Sequence, residues 1–278
     1  MDDAPARRGR QAEQPDAKLL ASARVLLGSG ERREVCGPYP LYTDVSDRRL
    51  FDACARLASG LDDLYLARYG VRPLGEPAEA IILFAEASDY RAFASQGGVP
   101  LGYAGYALGA RGLAVFYTGD QPFEAFLSTL THELTHLLNR RALGVNLPPW
   151  MSEGLADGIG DTATAEGFQA LTGIQGSEAQ AERLREALAA DRVGSLERLV
   201  AKRRSAFDQG VVSFDYEQSA LFVRFLLSEP QLATGFRSFL HQLAAGEVVY
   251  SPQVLMEALG AGWPELDRRF EAWVATVR

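Results

Sequence analysis

The chain has 278 residues, of which 47% are hydrophobic and 23% charged, and its formal net charge is −8 at pH 7. These are the values of a soluble globular protein with room for one large domain or two modest lobes, and the acidic balance leaves no basic patch for nucleic acid. No apolar run approaches the roughly 20 residues of a membrane-spanning helix, and two cysteines, Cys36 and Cys54, are too few for a disulfide framework and read as buried free thiols.

Residues 1 to about 18 are polar, mixed in charge and without periodicity, the mark of a disordered arm; 1–30 reads as weakly ordered throughout. The run Leu19 to Leu27 carries Arg24 and follows an acidic start, so it makes a poor signal peptide and the sequence leans cytoplasmic. Arg33 to Thr43 is extended, with Pro38 and Pro40 restricting it to an edge strand or strand-like loop. Ser46 is placed to cap a helix in which Leu50, Cys54, Leu57, Leu61 and Leu64 recur at helical steps, with Gly70 just beyond its end. Ala80 to Ala85 is a continuous apolar strand, and Ser88 starts a short helix through Tyr90 and Phe93. Gly97 to Gly112 reads as a Gly-rich connection with Tyr103 and Tyr106 in it, either a lid or a plain loop. Leu113 to Thr118 is a second apolar strand.

The helix that follows is bounded by Asp120 as N-cap, Pro122 in the first turn and Gly144 past its end. Phe123, Phe126, Leu127, Leu130, Leu134, Leu137 and Leu138 form its apolar stripe. Its other side carries His132 and His136, flanked by Ala125 and Thr129. After Pro148-Pro149 a second helix carries Glu153 and Asp157. From about Gly176 the chain is mostly helical, over Glu178–Ala190, Ser195–Arg203, Tyr216–Leu227, Gln231–Ala245 and Pro264–Val277. The expected fold class is therefore α+β. A lobe at 31–162 holds a small mixed sheet and the histidine helix, and an all-helical lobe follows at 163–278.

The chemistry lies in His132-Glu133-Leu134-Thr135-His136. Two histidines four apart on a helix stack on one face and can reach a single metal, with the glutamate slightly round the cylinder. A catalytic zinc site takes three protein ligands and keeps one position for water, and Glu153 supplies a third. Asp157, four residues on, points to the same side and can hold the free ring nitrogen of a histidine ligand. Glu133 would be the general base. The plain alternative is a surface helix with two solvated histidines, yet the motif uses two of only three histidines in the chain and keeps them off the apolar stripe. His241 has no partner cluster and reads as a surface residue.

The pattern His132-Glu133-x-x-His136 followed by Trp150-x-x-Glu153-Gly154-x-Ala156-Asp157 resembles the gluzincin metallopeptidases, and its compact spacing is similar to peptidase-MA-like domains. The resemblance implies a thermolysin-like fold, one zinc ion per chain held by His132, His136 and Glu153, and a peptide or protein substrate. Tyr216-Glu217-Gln218-Ser219 resembles the Tyr-Glu-Lys-Gly segment of the aminopeptidase branch, which implies that Tyr216 donates to the oxyanion; a tyrosine anchoring a helix start on the core is the other reading. Leu113–Thr118 corresponds in order to the edge strand on which gluzincins lay extended substrate. Two departures stand beside this. The gap from His136 to Glu153 is shorter than in the aminopeptidase or thermolysin-like branches, and no Gly-x-Met-Glu-Asn segment precedes the motif, so exopeptidase activity is not carried over. The expectation is a zinc peptidase working through Glu133, with a non-catalytic zinc-binding scaffold and a zinc hydrolase of non-peptide amides as the alternatives.

Overall fold

The computed structural model describes residues 14–97, 103–119, 121–144, 147–163, 176–207 and 214–277. The first thirteen residues of the expected arm and the expected cap Asp120 lie outside these. In chain order the elements are α1 (Ala17–Leu27), β1 (Arg32–Cys36), β2 (Tyr39–Thr43), α2 (Arg48–Tyr69), β3 (Ala80–Phe84), α3 (Ala87–Gly97), β4 (Gly105–Leu108), β5 (Leu113–Tyr117), α4 (Phe123–Leu143) and α5 (Pro149–Ala163). Then come α6 (Gly176–Ala189), α7 (Leu196–Ala201), α8 (Arg204–Phe207), α9 (Asp215–Ser228), α10 (Pro230–Ala245), α11 (Pro252–Leu259) and α12 (Trp263–Val274). None of the described helices is long and apolar enough to cross a membrane.

The five strands run in the order β1-β2-β3-β5-β4. β2, β3 and β5 are parallel, and the outer strands β1 and β4 are antiparallel to their neighbours. The continuous apolar run of β3 follows from burial on both faces, as parallel strands between helical layers require. Ile81 and Leu83 look into the large core with α2 and α4. Ala80, Ile82 and Phe84 look the other way, into a smaller core that includes Leu19, Ala23 and Leu27 of α1 and Tyr90 and Phe93 of α3. The large core continues without a break from the sheet through α5, α9, α10 and α12.

Four sequence expectations change. The stretch Ala17–Leu27, expected within a weakly ordered arm, is a helix capped by Asp16, and its apolar positions close the second face of the sheet. Arg33–Thr43 is not one edge element but a hairpin, turned by Gly37 at φ 59 where a Cβ would meet the backbone of Ser59 at 2.7 Å. Its second strand is interior, and Pro40 is accommodated because pairing with β3 begins only at Leu41. The helix expected from Ser46 is capped by Asp47, whose carboxylate accepts from the amides of Arg49 and Leu50.

The fourth change bears on the site. The strand Leu113–Tyr117, assigned by resemblance to the sheet edge, is interior, and the edge is β4. Part of the expected Gly-rich connection is therefore ordered sheet. Gly105 is required there, because a Cβ would lie 2.4 Å from the Phe116 ring and 3.0 Å from Thr129 of α4. The strand can thus lie close against the histidine helix.

Candidate metal centre

α4 buries Phe126, Leu127, Leu130, Leu134, Leu137 and Leu138, which rotates His132, Glu133 and His136 to a half-buried face. α5 lies across it and contributes Glu153, whose side chain is only 6% exposed. Small residues on the other sides of α5 let α9 and α2 pack closely behind it. At Gly154 an added Cβ would sit 2.5 Å from the Ser219 carbonyl oxygen of α9, and at Gly158 it would meet the Tyr69 hydroxyl at 2.6 Å. Trp150 is fully buried and donates from its indole nitrogen to the Tyr250 hydroxyl at 2.8 Å, which fixes the start of α5.

The donor atoms converge. His132 Nε2 and His136 Nε2 are 3.1 Å apart, and each is 3.4 Å from Glu153 Oε2. Ligands at about 2.0–2.1 Å from a tetrahedral ion stand about 3.3 Å from one another, so the triangle has the edge lengths a zinc ion needs. Both imidazoles are held from behind. His132 Nδ1 donates to Asp157 Oδ1 at 2.7 Å, and His136 Nδ1 is 3.0 Å from Ser152 Oγ. The free carboxylate oxygen of Glu153, Oε1, accepts two hydrogen bonds from Arg204, each 2.9 Å. Each ligand therefore has one atom anchored and one lone pair turned inward. Among the described residues this is the group of histidines, cysteines and carboxylates whose spacing fits a metal.

The electrostatics agree with that crowding. Burial pushes the His132 imidazolium down, but Asp157, Glu153 and Glu133 together push it up by more, and the net direction is well above the ordinary histidine value. Burial would raise Glu153, yet the hydrogen bonds and charges of both histidines hold it well below the ordinary carboxylate value. Three acceptors this close attract a cation, whether a shared proton or a metal.

Polar bonds from α2 set the height of α5 over α4. Tyr65 donates to Asn139 Oδ1 at 2.8 Å, and Asn139 Nδ2 donates to the Ser152 carbonyl at 3.1 Å. Tyr69 donates to the Leu155 carbonyl at 2.7 Å. The donors open on a cavity of about 510 Å³ lined by Tyr103, by β4 from Gly105 to Leu108, and by Glu133, Arg204 and Tyr216. Tyr216 lines this cavity and also sets its ring edge-on to Phe207 at 5.1 Å. Tyr106 lines it too, although its ring packs on Tyr90 in the smaller core. His241 is exposed and apart from the group.

His132, Glu133, His136, Glu153, Asp157 and Tyr216 were all legible in sequence, and the structure gathers them on this one cavity or directly behind it. Ser152, Asn139, Tyr65, Tyr69 and Arg204 were not. Ser152 alone left a local signal, a hydroxyl next to the third ligand on the same helix.

No protein-family model matches the chain, and no curated protein does. Among solved structures it is similar to an M1 zinc metallopeptidase from Deinococcus radiodurans, with 15% identity and a TM-score of 0.43 over 87% of this chain and 50% of that one. A mutant of the same enzyme matches at 16% identity and a TM-score of 0.44, again over 87% and 50%. The chain spans about half the length of those enzymes. A likeness this distant leaves the chemistry to be read from the donor atoms themselves.

Proposed function

We propose that the chain is a zinc-dependent peptidase in which Glu133 is the general base. The observation that carries this reading is the triangle of inward-turned lone pairs on His132, His136 and Glu153, with a fourth group, Glu133, on the same cavity and outside the triangle. A site that only held a structural metal would have no use for that carboxylate or for the open side of the triangle. When bound, zinc supplies Lewis acidity, making water easier to deprotonate and a carbonyl easier to attack.

The chain's own groups divide the remaining work. Glu133 accepts the proton of the attacking water at a carboxylate oxygen and later delivers it to the leaving amine nitrogen. Tyr216 donates its hydroxyl proton in a hydrogen bond to the substrate oxygen as it gains negative charge. Asp157 and Ser152 keep both imidazoles oriented with Nε2 inward, and Arg204 keeps Glu153 presenting Oε2 alone. The outer edge of β4 has no neighbouring strand among the described residues and borders the cavity, so an extended peptide can pair with it through backbone hydrogen bonds.

The test is cleavage of a mixed peptide library by the wild type and by Glu133→Gln, each shown to be folded and to bind one zinc. Loss of at least about a hundredfold in rate with zinc retained is expected, the usual size of a general base contribution. Equal cleavage by both proteins, or none by the zinc-loaded wild type, would sink the proposal.

A further inference from the structure

Arg204 lines the metal cavity and also a neighbouring groove of about 730 Å³. The groove runs between the start of α5, the end of α7 and the approach to α11. Its walls are Leu147, Pro148, Pro149, Tyr250 and Pro252, and its polar side is the consecutive run Lys202, Arg203 and Arg204. No acidic residue lines it among the described residues, although the whole chain carries eight more acidic than basic groups. This is a positive site on an acidic protein, and it shares a wall with the donor triangle.

The three cations are not equally available. Lys202 is engaged, its ammonium donating to both carboxylate oxygens of Asp215 at 2.6 and 2.7 Å. Arg204 is spent on Glu153. Arg203 is exposed and makes no ion pair among the described residues. Three of the groove's wall residues, Pro148, Pro149 and Pro252, carry no amide hydrogen, and the Tyr250 hydroxyl already donates to the Val200 carbonyl at 2.7 Å. A guanidinium in such a setting selects a planar carboxylate, which it can bind through two parallel hydrogen bonds.

We propose that this groove is a substrate subsite for a carboxylate, with Arg203 as its specificity-determining residue. The preferred substrate is a peptide with apolar residues against the proline walls and a carboxylate beyond them. That carboxylate is either an Asp or Glu side chain or the free chain terminus. The inference rests on the peptidase reading for its occupant but makes its own claim about which peptide is preferred.

The experiment uses the zinc-loaded Glu133→Gln protein, which would hold peptide without turning it over. Three fluorescent peptides share an apolar centre: one has a Glu side chain and an amidated terminus, one has Gln and a free terminus, and one has Gln and an amidated terminus. At least one carboxylate peptide should bind about tenfold more tightly than the neutral one, the size expected of a hydrogen bond to a charged group, and the tighter of the two names the source of the carboxylate. Adding Arg203→Glu should collapse that ratio, with zinc content as the check on folding. Equal affinity for all three, no measurable binding, or a ratio indifferent to Arg203→Glu would overturn the subsite. The two readings fail separately. Cleavage by the wild type without any carboxylate preference sinks the subsite and leaves the peptidase. A trap that prefers carboxylates beside a wild type that cuts nothing sinks the peptidase and leaves the subsite.

Discussion

Helix α4 carries two clusters of buried charge, and they are built on opposite rules. In its middle, His132 and His136 meet Glu153 with three lone pairs facing one point. At its C-terminal end Arg141 is fully buried, and its guanidinium donates to Asp62 at 2.9 Å and to the Gly75 carbonyl at 3.1 Å, with Tyr39 alongside. In the second cluster the terminal guanidinium nitrogens face acceptors, and among the described residues only Arg141 Nε and Glu79 Oε1 are left without a hydrogen-bond partner there. In the first, acceptors face acceptors and something positive is wanted between them. Burial of charge alone therefore does not mark a functional site; the convergence of several acceptors on one point is the sharper signal.

The largest effect should separate the two clusters outright. His136→Ala should weaken zinc binding on the order of a thousandfold or more, measured by competition with a chelator, while the melting temperature of the metal-free protein moves little. The reverse is expected at the other end. Arg141→Ala removes one partner of a buried ion pair and should cost about 3–5 kcal/mol of stability in denaturant titrations, with zinc still bound at one per chain. A variant at either position that moved both readouts equally would show the clusters to be one coupled unit.

Finer changes grade the first cluster. Asp157→Asn should cost about 10–100-fold in zinc affinity, the usual penalty for losing the partner behind a histidine ligand. Ser152→Ala should cost less, because its hydroxyl is neutral and sits at 3.0 Å rather than 2.7 Å. Equal losses would mean that the charge of Asp157 contributes nothing beyond orientation. The smallest effect concerns Glu79, beside the second cluster. Its Oε1 is buried without a hydrogen-bond partner among the described residues, and burial raises its pKa above the ordinary 4.5 against the pull of Arg141. A raised carboxyl pKa means the folded state holds the proton more tightly than the unfolded one, so stability is lost as pH rises from the ordinary value through the raised one. Glu79→Gln should flatten that slope in melting temperatures taken across pH.

The residues of the donor triangle were legible because one helix and the next hold them at fixed spacings, and helical geometry converts spacing into position. His132, His136 and Asp157 needed no knowledge of the fold. Arg204, Tyr65 and Tyr69 reach the site from other elements by tertiary packing, and no local pattern announces such a meeting. β4 was hidden for a different reason. Its glycine reads as a loop signal, whereas Gly105 is small because the Phe116 ring of β5 and Thr129 of α4 lie against it. The early helix α1 was obscured by the polar chain before it, although Leu19, Ala23 and Leu27 already had helical spacing.

The bonds that Tyr65 and Tyr69 make to the region between α4 and α5 have a consequence for which ion the triangle would accept. With α5 held at a fixed height by Asn139 and the Leu155 carbonyl, the donor triangle cannot widen without breaking buried hydrogen bonds. Calcium asks for six to eight oxygens at about 2.3–2.6 Å, a wider and more numerous shell than two imidazoles and one monodentate carboxylate can offer. If the triangle holds zinc as proposed, ion size would be discriminated by the stiffness of a scaffold whose tyrosines lie outside the triangle, and loosening that scaffold should relax the choice before it abolishes binding.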